Sequence, residues 1–139
     1  MACFLVSGGE AIVVTAVRAA VKKSEQKKGI VDEKGKQITD PAEHGICWTR
    51  KLGWLMNMLW GGVLLLAIEH IWHGEVVLWP PFLTAATVPG EMATVLHEMA
   101  TVGVAMAVLV TVTWLVVTFV ADAVVKRSAK TEAAKEAEL

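Results

Sequence analysis

Between Leu52 and Val125 this 139-residue sequence has no lysine and no arginine. All thirteen basic residues lie outside that interval, nine from Arg18 to Lys51 and four from Lys126 to Lys135. Translocated segments shed basic residues and cytoplasmic ones keep them, so the gap predicts that the first loop and the C-terminal tail face the cytoplasm. Cysteine is nearly as scarce. Cys3 and Cys47 stand in no CxxC pattern and no lipobox-like context, and they read as ordinary small residues. With one expected at the outer face and the other at the inner, no internal disulfide is expected.

Several function classes are missing their signatures. Gly8-Gly9 is not followed by a P-loop pattern, and neither Ser7 nor Ser24 has a His–Asp context, so no phosphate cradle or serine nucleophile is predicted. Nucleic-acid binding is not expected either. The basic residues of the first block are interleaved with Glu25, Asp32, Glu33, Asp40 and Glu43, and no aromatic platform accompanies them. Anionic lipid headgroups are the simpler counterpart for such a block.

What the chain does have is long apolar runs. Leu52 to Ile68 carries no charged residue and neither does Met99 to Ala121. At about 1.5 Å per helical residue, runs of this kind suit a hydrocarbon layer of roughly 30 Å better than a soluble core. A third run, Ala2 to Val21, is interrupted by Glu10 and Arg18. It has no basic residue before it and Lys22-Lys23 after it, the reverse of a secretory signal, so it reads as a first spanning helix.

The expected fold is therefore an all-α integral membrane protein with three transmembrane helices, N-terminus outside and C-terminus cytoplasmic, multi-pass in the cell membrane. A transmembrane domain over 1–127 holds helices at about 2–21, 52–72 and 90–127, joined by a cytoplasmic loop (22–51) and an outer interfacial segment (73–89). A charged tail over 128–139 follows. The loop has Gly29, Gly35 and Pro41 as breakers and suggests a short hairpin or disorder at its tip. Pro80-Pro81 forbids a continuous helix through the outer segment. Gly103, Ala107 and Thr111, and likewise Ala11, Thr15 and Ala19, recur at the spacing that lets helices approach closely.

Chemistry-bearing residues can be placed by counting inward from Lys22, Lys51 and Lys126. Arg18 and Asp122 each lie four residues, or about 6 Å, inside that boundary and are expected to form a structural ion pair. Glu10 falls about 18 Å from it, near mid-span, where a carboxylate serves as a polar hook, a cation site or a proton relay. Toward the other end, Glu69, His70, His73 and Glu75 cluster, with His97 and Glu98 at a similar height. His70, His73 and His97 are candidate ligands for a divalent transition metal or for the iron of haem b, and Glu10, Glu69 and Glu98 are candidate intramembrane or interfacial carboxylates. The bland alternative is that histidines and acids gather at an interface because it is wet. Three helices with interfacial histidines are also the broad plan of cytochrome b-type membrane anchor subunits, an architectural analogy that implies no residue roles.

The functional expectation is a small non-enzymatic accessory or scaffold subunit, docking in the bilayer with other membrane subunits or with itself. The alternatives are a haem- or metal-binding electron-transfer subunit and a small ion or proton translocator.

Overall fold

The computed structural model describes residues 3–82 and 84–137. The expected helix start at Ala2, Leu83 of the outer segment and the last two positions of the tail lie outside them. The chain is helical: α1 (Phe4–Lys27), the short α2 (Pro41–His44), α3 (Trp48–Trp72), α4 (Glu91–Glu98) and α5 (Val104–Ala137). A 3-10 turn, Thr84–Thr87, precedes α4, and a π-helical segment, Met99–Gly103, joins α4 to α5. Among the described residues three helical stretches are long and apolar enough to cross a membrane: Phe4–Lys27, Trp48–Trp72 and the run Glu91–Lys135.

Both α1 and α3 stop for a local reason. Past the end of α1, Gly29 takes φ +69° and donates to the Gln26 carbonyl at 3.1 Å, while the Ile30 amide donates to the Glu25 carbonyl at 3.0 Å. These two bonds make a Schellman cap, which favours glycine because its left-handed conformation disfavours a Cβ. α3 ends the same way. Gly74, at φ +71°, donates to Ile71 at 3.1 Å and Glu75 to His70 at 3.0 Å.

The start of α3 is built from further away. Its first four amides have no partner inside the helix. Trp48 and Thr49 donate to the two carboxylate oxygens of Glu25 at 2.9 and 3.0 Å, and Arg50 and Lys51 donate to the Cys47 carbonyl at 3.1 and 3.2 Å. All four are satisfied, so α3 begins at Trp48, four residues before the apolar run. Gln37 braces the preceding turn, donating to the Gly45 carbonyl at 2.8 Å and accepting from the Cys47 amide at 2.9 Å.

Contacts group the described chain into two compact units, one comprising residues up to Val13 with Met56–Thr111, the other Val14–Leu55 with the chain from Val112 onward. In the first, α1 meets the π segment and the start of α5. A Cβ on Gly103 would stand 2.9 Å from Val6 Cγ2 and 3.3 Å from the Cys3 carbonyl oxygen, and Ala11 is fully buried. Farther along, Thr111 donates to Glu10 at 2.5 Å, so the two stretches run in the same direction. The small-residue face predicted from spacing here makes a close approach. On its other side α1 meets α3, with the rings of Phe4 and His70 5.5 Å apart and Gly8 facing Val63.

In the second unit the loop is ordered. Val31 and Gln37 form an antiparallel bridge around a turn closed by Gly35 at φ +80°, and Val31 and Cys47 are buried. Trp114, also buried, donates its indole N–H to the Lys51 carbonyl at 2.8 Å.

Candidate functional site

The His70 end of the first unit gathers several ionisable groups around an open cleft. The Schellman cap at Gly74 turns the chain back over the last turn of α3, so His70 gives its carbonyl to the Glu75 amide while Glu75 Oε2 comes to 3.8 Å from His70 Nε2. His70 Nδ1 lies 2.7 Å from the Leu66 carbonyl oxygen. A carbonyl only accepts, so this contact is a hydrogen bond in the tautomer with the proton on Nδ1, which leaves Nε2 on the Glu75 side. His70 is 8 % exposed, and its ring meets that of Phe4 edge-on. An open cleft of about 410 Å³ lies there, lined by Cys3, Leu66, Glu69, His70, His73, Glu75, Glu98, Val102 and Met106.

Some of the residues singled out by spacing meet here. Glu69, His70, His73 and Glu98 line one cleft, with Glu69 and His73 exposed at its rim and Glu98 half-buried. His97 is exposed on α4 and is not among the lining residues. Among the described residues no group of three or more His, Cys, Asp or Glu side chains is arranged to hold a metal ion. The expected His70, His73, His97 ligand set therefore does not assemble within the chain. Equal height along a helix axis leaves the direction of each side chain open, and His70 turns inward while His97 turns out. What His70 and Glu75 can do together is hold or pass a proton at Nε2.

No protein-family model, curated protein or solved structure matches this chain. The residues alone carry the functional argument.

Near mid-span of α1, Glu10 is half-buried and takes the Thr111 hydroxyl as donor. The second unit corrects another expectation. Asp122 pairs with Lys51, Nζ to Oδ2 at 2.5 Å, and not with Arg18. Arg18 donates its Nε to the Thr49 carbonyl at 3.2 Å and lies across Gly53, where a Cβ would come within 3.3 Å of that nitrogen. Counting residues gave both groups the same depth but not the same side of the helix. The bare backbone at Gly53 draws the guanidinium onto α3, while the Trp114 bond holds the first turn of α3 against α5 and brings Lys51 within reach of Asp122.

The Lys51 ammonium is further held 5.0 Å from the Trp48 ring centroid. Asp122 Oδ1 and Thr49 Oγ1 are buried without a hydrogen-bond partner among the described residues.

Three important residues carried no readable local signal. Glu25 caps a helix 23 residues on, Lys51 had served only as a boundary marker, and Cys3 reaches the His70 cleft. Glu75 is different: its place directly after Gly74 at a helix end is the signature of a Schellman turn, which folds it back toward His70.

Proposed function

We propose that this chain is a small, non-enzymatic integral membrane protein with three spans, an accessory or scaffold subunit that works by docking in the bilayer with itself or with a larger complex. The basic-free interval from Leu52 to Val125 orients it, with the N-terminus and His70 end outside and the 22–51 loop and C-terminal tail in the cytoplasm. The cell membrane is the site proposed. Its counterparts are lipid and other membrane subunits, and nucleic acid is not among them.

One observation carries the scaffold reading: three ionisable residues within the apolar stretches, Glu10, Arg18 and Asp122, each find a partner on the chain's own helices. Glu10 has Thr111, Asp122 has Lys51 and Arg18 has the Thr49 carbonyl. Buried polar groups matched in this way rigidify a structure. Meanwhile only 17 %, 22 % and 17 % of the residues in an apolar 18-residue segment of each of the three stretches are buried, which leaves most of their surface for lipid or partner helices. Crosslinking in native membranes, followed by sizing in mild detergent, tests the reading. A defined complex supports it, and a chain that stays monomeric and partnerless in both refutes it. Reporter fusions at the 22–51 loop and at 73–89 test the orientation, and a loop found outside would reverse it.

A second reading, proton handling, is favoured by the pairing of His70 with Glu75 at an open cleft. Proton flux in liposomes that falls in His70→Phe would support it, and equal flux in wild type and variant would remove it. The electron-transfer alternative, with haem b or a transition metal, would need ligands from a second chain. An absorption spectrum and metal analysis of the purified protein decide it.

A further inference from the structure

Asn57 is the only asparagine in the chain, and it sits on α3 six residues past Lys51, about 9 Å into a helix long enough to span. Its side chain is exposed and has no hydrogen-bond partner among the described residues. In water an exposed carboxamide is unremarkable. In hydrocarbon each unpaired polar group carries a desolvation penalty that a partner removes.

The residues that share its face continue the pattern. Asn57, Gly61, Leu64, Ile68 and Ile71 follow one another at spacings of four, three, four and three, and all five are exposed. Leu64 is 65 % exposed, Ile68 59 % and Ile71 43 %. A four-three repeat is the heptad seam along which two helices supercoil in a left-handed sense. Gly61 fits the same scheme. A Cβ there would meet nothing within 4 Å and its backbone is ordinary helix, so nothing inside this chain calls for a glycine. Glycine in a helix interior is unfavourable relative to alanine, whereas at a helix crossing it lets two backbones approach.

We propose that this face of α3 is where two copies of the chain associate, with Asn57 paired to Asn57 across the crossing and Gly61 one turn away. A second copy is the fitting occupant because a carboxamide is both donor and acceptor. A two-fold partner presents the same group in return, so one residue satisfies itself without help from any other chemistry. The seam carries no charge that would repel an identical face. The proposal rests on α3 spanning a bilayer and names the docking surface of the scaffold.

The test uses the full-length chain in native membranes, checked for retention after alkaline carbonate extraction. Oxidative crosslinking of Leu64→Cys and Ile68→Cys is expected to give disulfide dimers. Val108→Cys, on exposed α5 surface, and the wild type, whose two cysteines are buried, should give few. In the Leu64→Cys background, Asn57→Leu should weaken dimerisation by roughly threefold to thirtyfold and Asn57→Gln, which keeps the amide, by much less. Crosslinking at Val108→Cys equal to that at the seam, or an Asn57→Leu chain as dimeric as wild type, would overturn the seam and leave the membrane assignment standing. A chain released by carbonate would overturn both.

Discussion

Removing the Glu25 carboxylate should destabilise the protein more than any other change at an acidic residue of the 22–51 loop. Glu25 is 7 % exposed, and its two oxygens accept the first two amides of α3. In Glu25→Ala both donors lose their partner, but not equally. Thr49 is fully buried, so its orphaned amide bears the whole desolvation penalty, about 1–3 kcal/mol. Trp48 is 55 % exposed and water can reach its amide, which leaves a loss of at most about 1 kcal/mol. A negative charge at a helix N-terminus adds about 0.3–1 kcal/mol.

The total for Glu25→Ala is about 2–4 kcal/mol. Glu25→Gln keeps one acceptor oxygen and should lose about half as much. Unfolding in mixed SDS micelles, followed by circular dichroism, measures both against Glu33→Gln, an exposed acid of the same loop. Hydrogen exchange at the Thr49 amide should accelerate in step. If Glu25→Ala lies within about 0.5 kcal/mol of Glu33→Gln, the cap contributes nothing and the reasoning fails.

Three further outcomes follow from the same contacts. Gly103→Ala should be net destabilising, because overpacking against Val6 and the Cys3 carbonyl costs about 1–3 kcal/mol against a gain of at most about 1 in helix propensity. Adding Val6→Ala should restore thermal stability in detergent, and a double variant no better than the single one would show that the close approach is not the cause. Lys51→Met leaves Asp122, with one oxygen already unpartnered, without its cation. The cost should be about 2 kcal/mol, below that of a fully buried pair because Asp122 is 27 % exposed, and Asp122→Asn should recover part of it in the same SDS titration. Diethyl pyrocarbonate should modify exposed His73 and His97 before buried His70, as read by mass spectrometry, and equal rates would contradict the inward orientation of His70.

The sequence by itself determined the features that depend on neighbouring residues. The apolar runs are long because a spanning helix must satisfy its backbone within one segment, and so three such helices are visible as composition. Gly29 and Gly74 stop α1 and α3 through bonds that reach no more than five residues along the chain. The small-residue spacing at Gly103, Ala107 and Thr111 was likewise legible, since i, i+4 positions share a helix face whatever lies opposite.

Only the tertiary structure decided who faces whom. Counting along an axis placed Arg18 and Asp122 at one depth, and His70, His73 and His97 at another, but rotation about the axis was left open. Lys51 took Asp122, and His70 turned toward Glu75 while His97 turned outward. Glu25 shows the limit most plainly. Its role is to accept amides from residues 23 and 24 positions away, a pairing set by how α1 and the 28–47 loop return the chain to the start of α3. No local pattern encodes that geometry, because the energy of a hydrogen bond depends on where its partner stands in space and not on how far it lies along the chain.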